Sequence, residues 1–296
     1  MTEGLTKVMK IVDLLTSGKI TVSCELFPPK AGSELQGAKT IVKEIAALKP
    51  SFMSVTYGAG GETSQNTVSI ADEIQNVNGI TALAHLTCVS SDREKVKTVL
   101  KELEAKKIKN ILALRGDIPA DSSFPERAHY HHANELIEEI RASGDFCVGG
   151  ACYPEGHLES QSMQQDVEGL RIKMNSGCQF FITQMFFDNN VLYNFMFRLL
   201  KNGVDVPIVA GIMPVINAKQ IHRICSLSGT VLSPRFKAII DKFATSPAAM
   251  NQAGIAYATE QIIDLIANGV NHIHIYTMNK PDIAKRIIGN LSEIFQ

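Results

Sequence analysis

The chain has 296 residues, 45% of them hydrophobic and 20% charged, with a net charge of -1. That length suits one large or two ordinary domains with a substantial core, and the near-neutral balance excludes the basic excess of a nucleic-acid binder. No apolar run approaches the roughly 20 residues that span a bilayer, and the N-terminal "MTEGLTKVMKIVDLLTSGK" lacks the apolar core of a secretion signal, so a cytoplasmic protein without membrane contact is expected.

The N-terminal segment reads as a short amphipathic helix. After it, short β-rich runs alternate with longer amphipathic segments. The strand candidates are residues 20–27, 52–58, 80–89, 108–117, 146–154, 179–187, 207–215 and 272–278. Helical patterns follow them at 34–49, 64–76, 92–106, 133–143, 164–177, 189–203, 218–229 and 281–295. A further helical stretch runs through residues 234–269, ahead of the eighth strand. Eight strand–helix units with no Pro/Gly-rich linker predict an α/β fold: a (β/α)8 TIM barrel, one domain over residues 1–296. A doubly wound open sheet is the alternative.

Six cysteines form no CxxC pair and no zinc-ligand spacing, and they read as structural thiols. "HYHH" at 129–132 lies in a polar connector without nearby cysteines, so no metal is expected. "GAGGET" at 58–63 follows a strand and precedes a helix. A dinucleotide fingerprint, however, needs glycine at its sixth position, where Thr63 stands.

Within "VSCELFPPK", alternation puts Val22, Cys24 and Leu26 on one face and Ser23, Glu25 and Phe27 on the other. Pro28 and Pro29 then stop the strand, because neither has an N–H to donate. A carboxylate in such a strand is expensive unless a partner or ligand satisfies it. Other strand ends also carry polar groups: Thr56 and Tyr57, His85, Arg115 and Asp117, Tyr153, Glu155 and His157, and Gln184. Barrel enzymes draw their sites from these C-terminal ends, so one shared site is expected.

In this order, "CELFPPK", "SVTYGAGG", "AHLTC", "ALRGD", "YPEGH", "ITQMFFD", "GIMPV" and "YTMNK" resemble methylenetetrahydrofolate reductase in its short bacterial form, over essentially the whole chain. The resemblance implies non-covalently bound FAD. It also implies reduction of 5,10-methylenetetrahydrofolate to 5-methyltetrahydrofolate, a step of one-carbon metabolism and methionine biosynthesis. NADH or NADPH would be the electron donor, or an electron-transfer partner subunit as in some anaerobic relatives. A homo-oligomer is expected.

By the same resemblance, Glu25 is the general acid that protonates folate N10. The imidazolidine ring then opens to an iminium, which accepts hydride from flavin N5. A positioned acid contributes about 10²–10⁴-fold, and an apolar setting favours its protonated form. Asp117 is the second catalytic residue, binding folate and stabilising the developing cation. Implied FAD contacts are Thr56, Tyr57, Ala59, His85, Arg115, Gly116, Asp117, His132, Ala133, Tyr153, His157, Asp166 and Lys173. Implied folate contacts are Glu25, Asp117, Gln184, Gln220 and Lys280. Lys280 stands where relatives often carry arginine, and it keeps the charge without the bidentate fork. Ile224 occupies the position of an aromatic that some relatives use to gate the pocket.

Overall fold

The computed structural model describes residues 9–29, 35–57, 64–89, 91–118, 124–126 and 128–295. Its strands are β1 (Thr21–Leu26), β2 (Phe52–Val55), β3 (Ala82–Thr87), β4 (Asn110–Leu114), β5 (Cys147–Cys152), β6 (Phe180–Thr183), β7 (Ile208–Ile212) and β8 (His272–Tyr276). The helices are α1 (Ile11–Leu15), α2 (Leu35–Ala46), α3 (Ser64–Asp72), α4 (Arg93–Ala105), α5 (Ala133–Ser143), α6 (Met163–Asn175), α7 (Asn189–Lys201), α8 (Ala218–Ser228), α9 (Pro234–Phe243), α10 (Pro247–Ala267) and α11 (Pro281–Asn290). All eight strands are parallel and pair in sequence order. β1 pairs with both β2 and β8, so the ring is closed and the open-sheet alternative falls.

Strand alternation sorts the core into two regions. Val22, Cys24 and Leu26 of β1 share an apolar cluster with Val42 and Ile45 of α2 and with Ile283 and Ile287 of α11. A second cluster gathers Phe52, Leu83, Leu112, Cys147, Phe180 and Val209 from six strands with Ile11 and Leu15 of α1. It fills the lower barrel, and α1 is its floor. Asn110 ties that floor in place: it accepts a hydrogen bond from Ile11 N–H (2.8 Å) and donates to the carbonyls of Met9 and Ala82, each at 3.2 Å. Phe180 fits because its neighbour on β5 is Gly149, where a Cβ would sit 2.4 Å from the ring.

Helix starts follow capping chemistry. Asp92, Ser162, Asp188, Asn217 and Ser233 each accept a backbone N–H in the first turn of α4, α6, α7, α8 and α9. The helical stretch expected over 234–269 is two helices, because Pro247 restarts the chain at the first position of α10. The pattern over 64–76 ends in a single π-turn, Glu73–Val77. All six cysteines are free thiols and five are buried. Burial pushes Cys24 up to about 12, the signature of inert packing thiols. Among the described residues, no helix is long and apolar enough to cross a membrane.

Candidate active site

The top of β1 is anchored from the segment that follows β8. Phe27 N–H donates to Asn279 Oδ1 at 2.9 Å, and Asn279 Nδ2 donates back to the Phe27 carbonyl at 3.0 Å. The Thr277 hydroxyl donates to the Glu25 carbonyl at 2.6 Å. These bonds fix the backbone that carries Glu25, whose side chain is turned into the barrel and is 7% exposed as a residue. Its Oε2 lies 3.7 Å from His85 Nε2 on β3 and 3.8 Å from His274 Nε2 on β8.

Glu25 lines a cleft of about 860 Å³ at the C-terminal ends of the strands, within the size range of small-molecule sites. Thr56 and Tyr57 reach it from the end of β2, His85 from β3, and Arg115, Gly116 and Asp117 from the end of β4. His132 and Ala133 enter at the start of α5, Tyr153 and His157 after β5, Asp166 and Lys173 on α6, and Gln184 after β6. Ala59 lies outside the described residues. Gln220, in the first turn of α8, and Lys280, just before α11, are exposed and stand outside this lining. Ile224 belongs to an apolar cluster with Met185, Phe187, Val215 and Phe236. Glu155 accepts from Val231 N–H at 2.7 Å, which braces the segment between α8 and α9.

Two cations mark one side of the cleft. Arg115 makes two bonds to Glu159, at 2.5 and 2.7 Å, and they hold its guanidinium above the ordinary arginine range. Lys173 Nζ donates to the Ala151 carbonyl at 3.0 Å, and burial draws its ammonium below the ordinary lysine range. Asp166 accepts from His157 N–H (3.3 Å) and the Ser160 hydroxyl (3.1 Å). The Tyr153 ring meets His157 edge-on with centroids 4.7 Å apart, and burial, with Asp117 next, pushes its phenol up to about 12. Gly116 has φ +87°, and a Cβ there would stand 3.3 Å from Thr87 Cβ. Only glycine relaxes into that turn between Arg115 and Asp117.

Burial pushes the His85 imidazole down to about 4, so the ring is neutral at physiological pH. Its Nε2 and the Thr87 hydroxyl are buried atoms without a hydrogen-bond partner, both on strand β3 at the cleft wall. Buried polar atoms are normally satisfied, so such a pair marks a ligand face.

Sequence reasoning missed Thr87, Glu159, Tyr276, Ser23, Ser54 and His274. The Tyr276 hydroxyl donates to the Thr183 carbonyl at 2.5 Å, joining β8 to β6 across β7. A signal existed for two of the six: in "HIHIY", alternation sets His272, His274 and Tyr276 on one face of an apolar strand. That this face looks at Glu25 depends on the β8–β1 closure, which periodicity does not reveal.

Fold and cleft together define a (β/α)8-barrel enzyme with its site at the C-terminal face. The family model described as methylenetetrahydrofolate reductase matches residues 10–292. The 5,10-methylenetetrahydrofolate reductase of Escherichia coli strain K12 is 32% identical over 274 residues, covering 93% of this chain and 91% of that protein. The Pectobacterium carotovorum enzyme of the same name matches to the same extent. Methylenetetrahydrofolate reductase (NADH) 1 of Arabidopsis thaliana is 32% identical over 97% of this chain and 51% of its own length. The chain belongs to the methylenetetrahydrofolate reductase family and is an oxidoreductase. Among solved structures, a Clostridium thermocellum protein that binds two copies of 5-methyl-5,6,7,8-tetrahydrofolic acid shares the fold. Its TM-score is 0.64 at 13% identity, with 97% of this chain and 99% of that one covered.

Proposed function

We propose that this chain, as one catalytic barrel domain, reduces 5,10-methylenetetrahydrofolate to 5-methyltetrahydrofolate with FAD as cofactor. Glu25 serves as the general acid. The observation that carries this reading is a buried carboxyl at the end of β1 sharing one cleft with Asp117, Gln184, Arg115 and Lys173.

The residues present fit FAD. Arg115 and Lys173 are cations suited to its anionic phosphates. The unpartnered His85 Nε2 and Thr87 hydroxyl are suited to polar atoms of its ring system or ribityl chain. Thr56, Tyr57, Gly116, His132, Ala133, Tyr153, His157 and Asp166 complete the cradle. When bound, FAD supplies the capacity to take a hydride from a donor and pass it to an acceptor.

The chain's own groups do the rest. Glu25 gives its proton to folate N10, which makes that nitrogen a better leaving group and opens the ring. Asp117 stabilises the cation that forms, and Gln184 orients the pterin, while apolar walls from Leu112, Leu114 and Ile182 limit water. Gln220 and Lys280 would meet the folate tail if α8 and the β8–α11 connection close over it. NADH or NADPH is the proposed donor, as the name of the Arabidopsis relative suggests for NADH, with an electron-transfer subunit as the alternative. A homo-oligomer in the cytoplasm completes the proposal.

The visible spectrum of the purified protein tests it. Flavin bands, present or restored on adding FAD, are expected. A protein that stays colourless with FAD in excess overturns the reading. Anaerobic bleaching by NADH or NADPH then identifies the donor.

A further inference from the structure

Glu159 stands at the rim of the cleft, and the reaction as proposed gives it no part. It lies in the connection between β5 and α6, in a turn that its own hydrogen bonds fix. Asp166 accepts from the His157 N–H at 3.3 Å and from the Ser160 hydroxyl at 3.1 Å. The Ser160 N–H donates to the His157 carbonyl at 2.9 Å, and the Glu159 N–H donates to His157 Nδ1 at 3.1 Å. The carboxylate therefore starts from a set backbone. From there it crosses to the end of β4 and accepts from both terminal nitrogens of Arg115, Nη1 at 2.5 Å and Nη2 at 2.7 Å. Those bonds hold the Glu159 carboxyl below the ordinary glutamate range, so it is an anion at neutral pH.

Counting donors shows what the pair leaves available. A guanidinium has five N–H groups and no acceptor. Arg115 spends one on each terminal nitrogen toward Glu159, and its Nε–H turns to the Gly116 carbonyl at 3.4 Å. One N–H on each terminal nitrogen remains, on a fork that two carboxylate oxygens keep from rotating. Arg115 and Glu159 both line the cleft. Lys173, the other cation of that lining, is fixed in the same manner by the Ala151 carbonyl.

A carboxylate beside a phosphate site has two opposing effects. It repels the phosphate, but the Glu159 side chain is 59% exposed, where water and salt screen that repulsion. It also removes the rotamer freedom of a long side chain before the ligand arrives, a gain that solvent does not screen. The second effect prevails. We infer that Glu159 is a positioning residue for cofactor binding, bracing Arg115 so that its two remaining terminal N–H groups are ready for the phosphate oxygens of FAD. This inference rests on the reading of Arg115 as a phosphate contact.

The test is a double-mutant cycle on cofactor affinity. Full-length protein stripped of flavin is titrated by fluorescence with FAD and, in parallel, with riboflavin, which has the ring and ribityl chain but no phosphate. Glu159→Ala is expected to raise the Kd for FAD about three- to tenfold, the cost of ordering one long side chain on binding. Glu159→Gln keeps one acceptor oxygen and should fall between wild type and Glu159→Ala. Arg115→Ala should raise the Kd about 10- to 100-fold. Adding Glu159→Ala to it should cost nothing more, because no guanidinium is left to brace. Riboflavin affinity should be the same in wild type and Glu159→Ala. Unchanged FAD affinity in Glu159→Ala, additive losses in the double variant, or equal losses for riboflavin and FAD overturn the role of Glu159. Tighter FAD binding in Glu159→Ala overturns it too, since the carboxylate would then compete with the phosphates for Arg115. If Arg115→Ala alone keeps wild-type FAD affinity, the phosphate-contact reading fails instead.

Discussion

His85 turns its Nε2 toward Glu25 Oε2 at 3.7 Å, yet that buried nitrogen has no hydrogen-bond partner. The proximity is not an ion pair, because burial holds the ring at about 4, against an ordinary value of 6.5. Between those values the unfolded chain binds a proton that the native ring refuses. Stability is therefore complete above pH 6.5 and is lost as pH falls from 6.5 toward 4. The full window is worth roughly 3 kcal/mol at 1.36 kcal/mol per unit. His85→Gln should remove that dependence. Urea unfolding of both proteins at about pH 7 and about pH 5 measures it; a wild-type-to-variant difference that is the same at both values refutes the assignment.

Glu25→Gln separates the two halves of the proposed reaction. The amide keeps the shape of the acid and cannot give a proton. Donor-driven flavin bleaching should survive, and reoxidation by the folate substrate should fall by about 10²–10⁴-fold. Stopped-flow absorbance reads both. Equal loss in the two would make Glu25 a structural residue.

Gly116→Ala probes the turn that presents Arg115 and Asp117. At φ +87° an alanine is strained, and its Cβ would crowd Thr87 at 3.3 Å. A cost of about 1–3 kcal/mol is expected, together with weaker FAD retention as the turn shifts. Fluorescence titration with FAD checks the second effect. Wild-type affinity in a destabilised variant would show that the turn does not hold the cofactor.

Much of this architecture was legible in residues. The alternation in "VSCELFPPK" put Glu25 opposite the apolar face, and the two prolines marked the strand end, because both are local chemistry. The strand ends likewise delivered Tyr57, His85, Asp117 and Gln184 to one rim, since closing a parallel barrel aligns them. What could not be read is contact between elements distant in sequence. Glu25 and His274 meet through the pairing of the first and last strands, and Arg115 meets Glu159 across two connections. Nothing in the period of either segment encodes such a meeting. The division of 234–269 at Pro247 was locally visible, but continuous helical periodicity masked it.

The floor of the barrel supplies a prediction of the opposite kind, stability without chemistry. Asn110, itself without solvent access, joins Met9, Ile11 and Ala82 through three hydrogen bonds. Asn110→Ala strands the Ile11 amide and two carbonyls, and each buried unsatisfied group costs about 1–3 kcal/mol. Part of that is recovered if α1 lifts off and its backbone meets water. The expected loss is therefore about 3 kcal/mol, with exposure of the α1 segment to limited proteolysis and faster hydrogen exchange at the Ile11 amide. Leu83 and Phe180, which α1 covers from below, should become more mobile. The cleft lies at the other end of the strands, where barrel chemistry is placed, so turnover per folded molecule should stay near wild type. A variant whose activity falls well beyond its loss of folded protein would mean that the floor and the Glu25 site are coupled through the barrel interior.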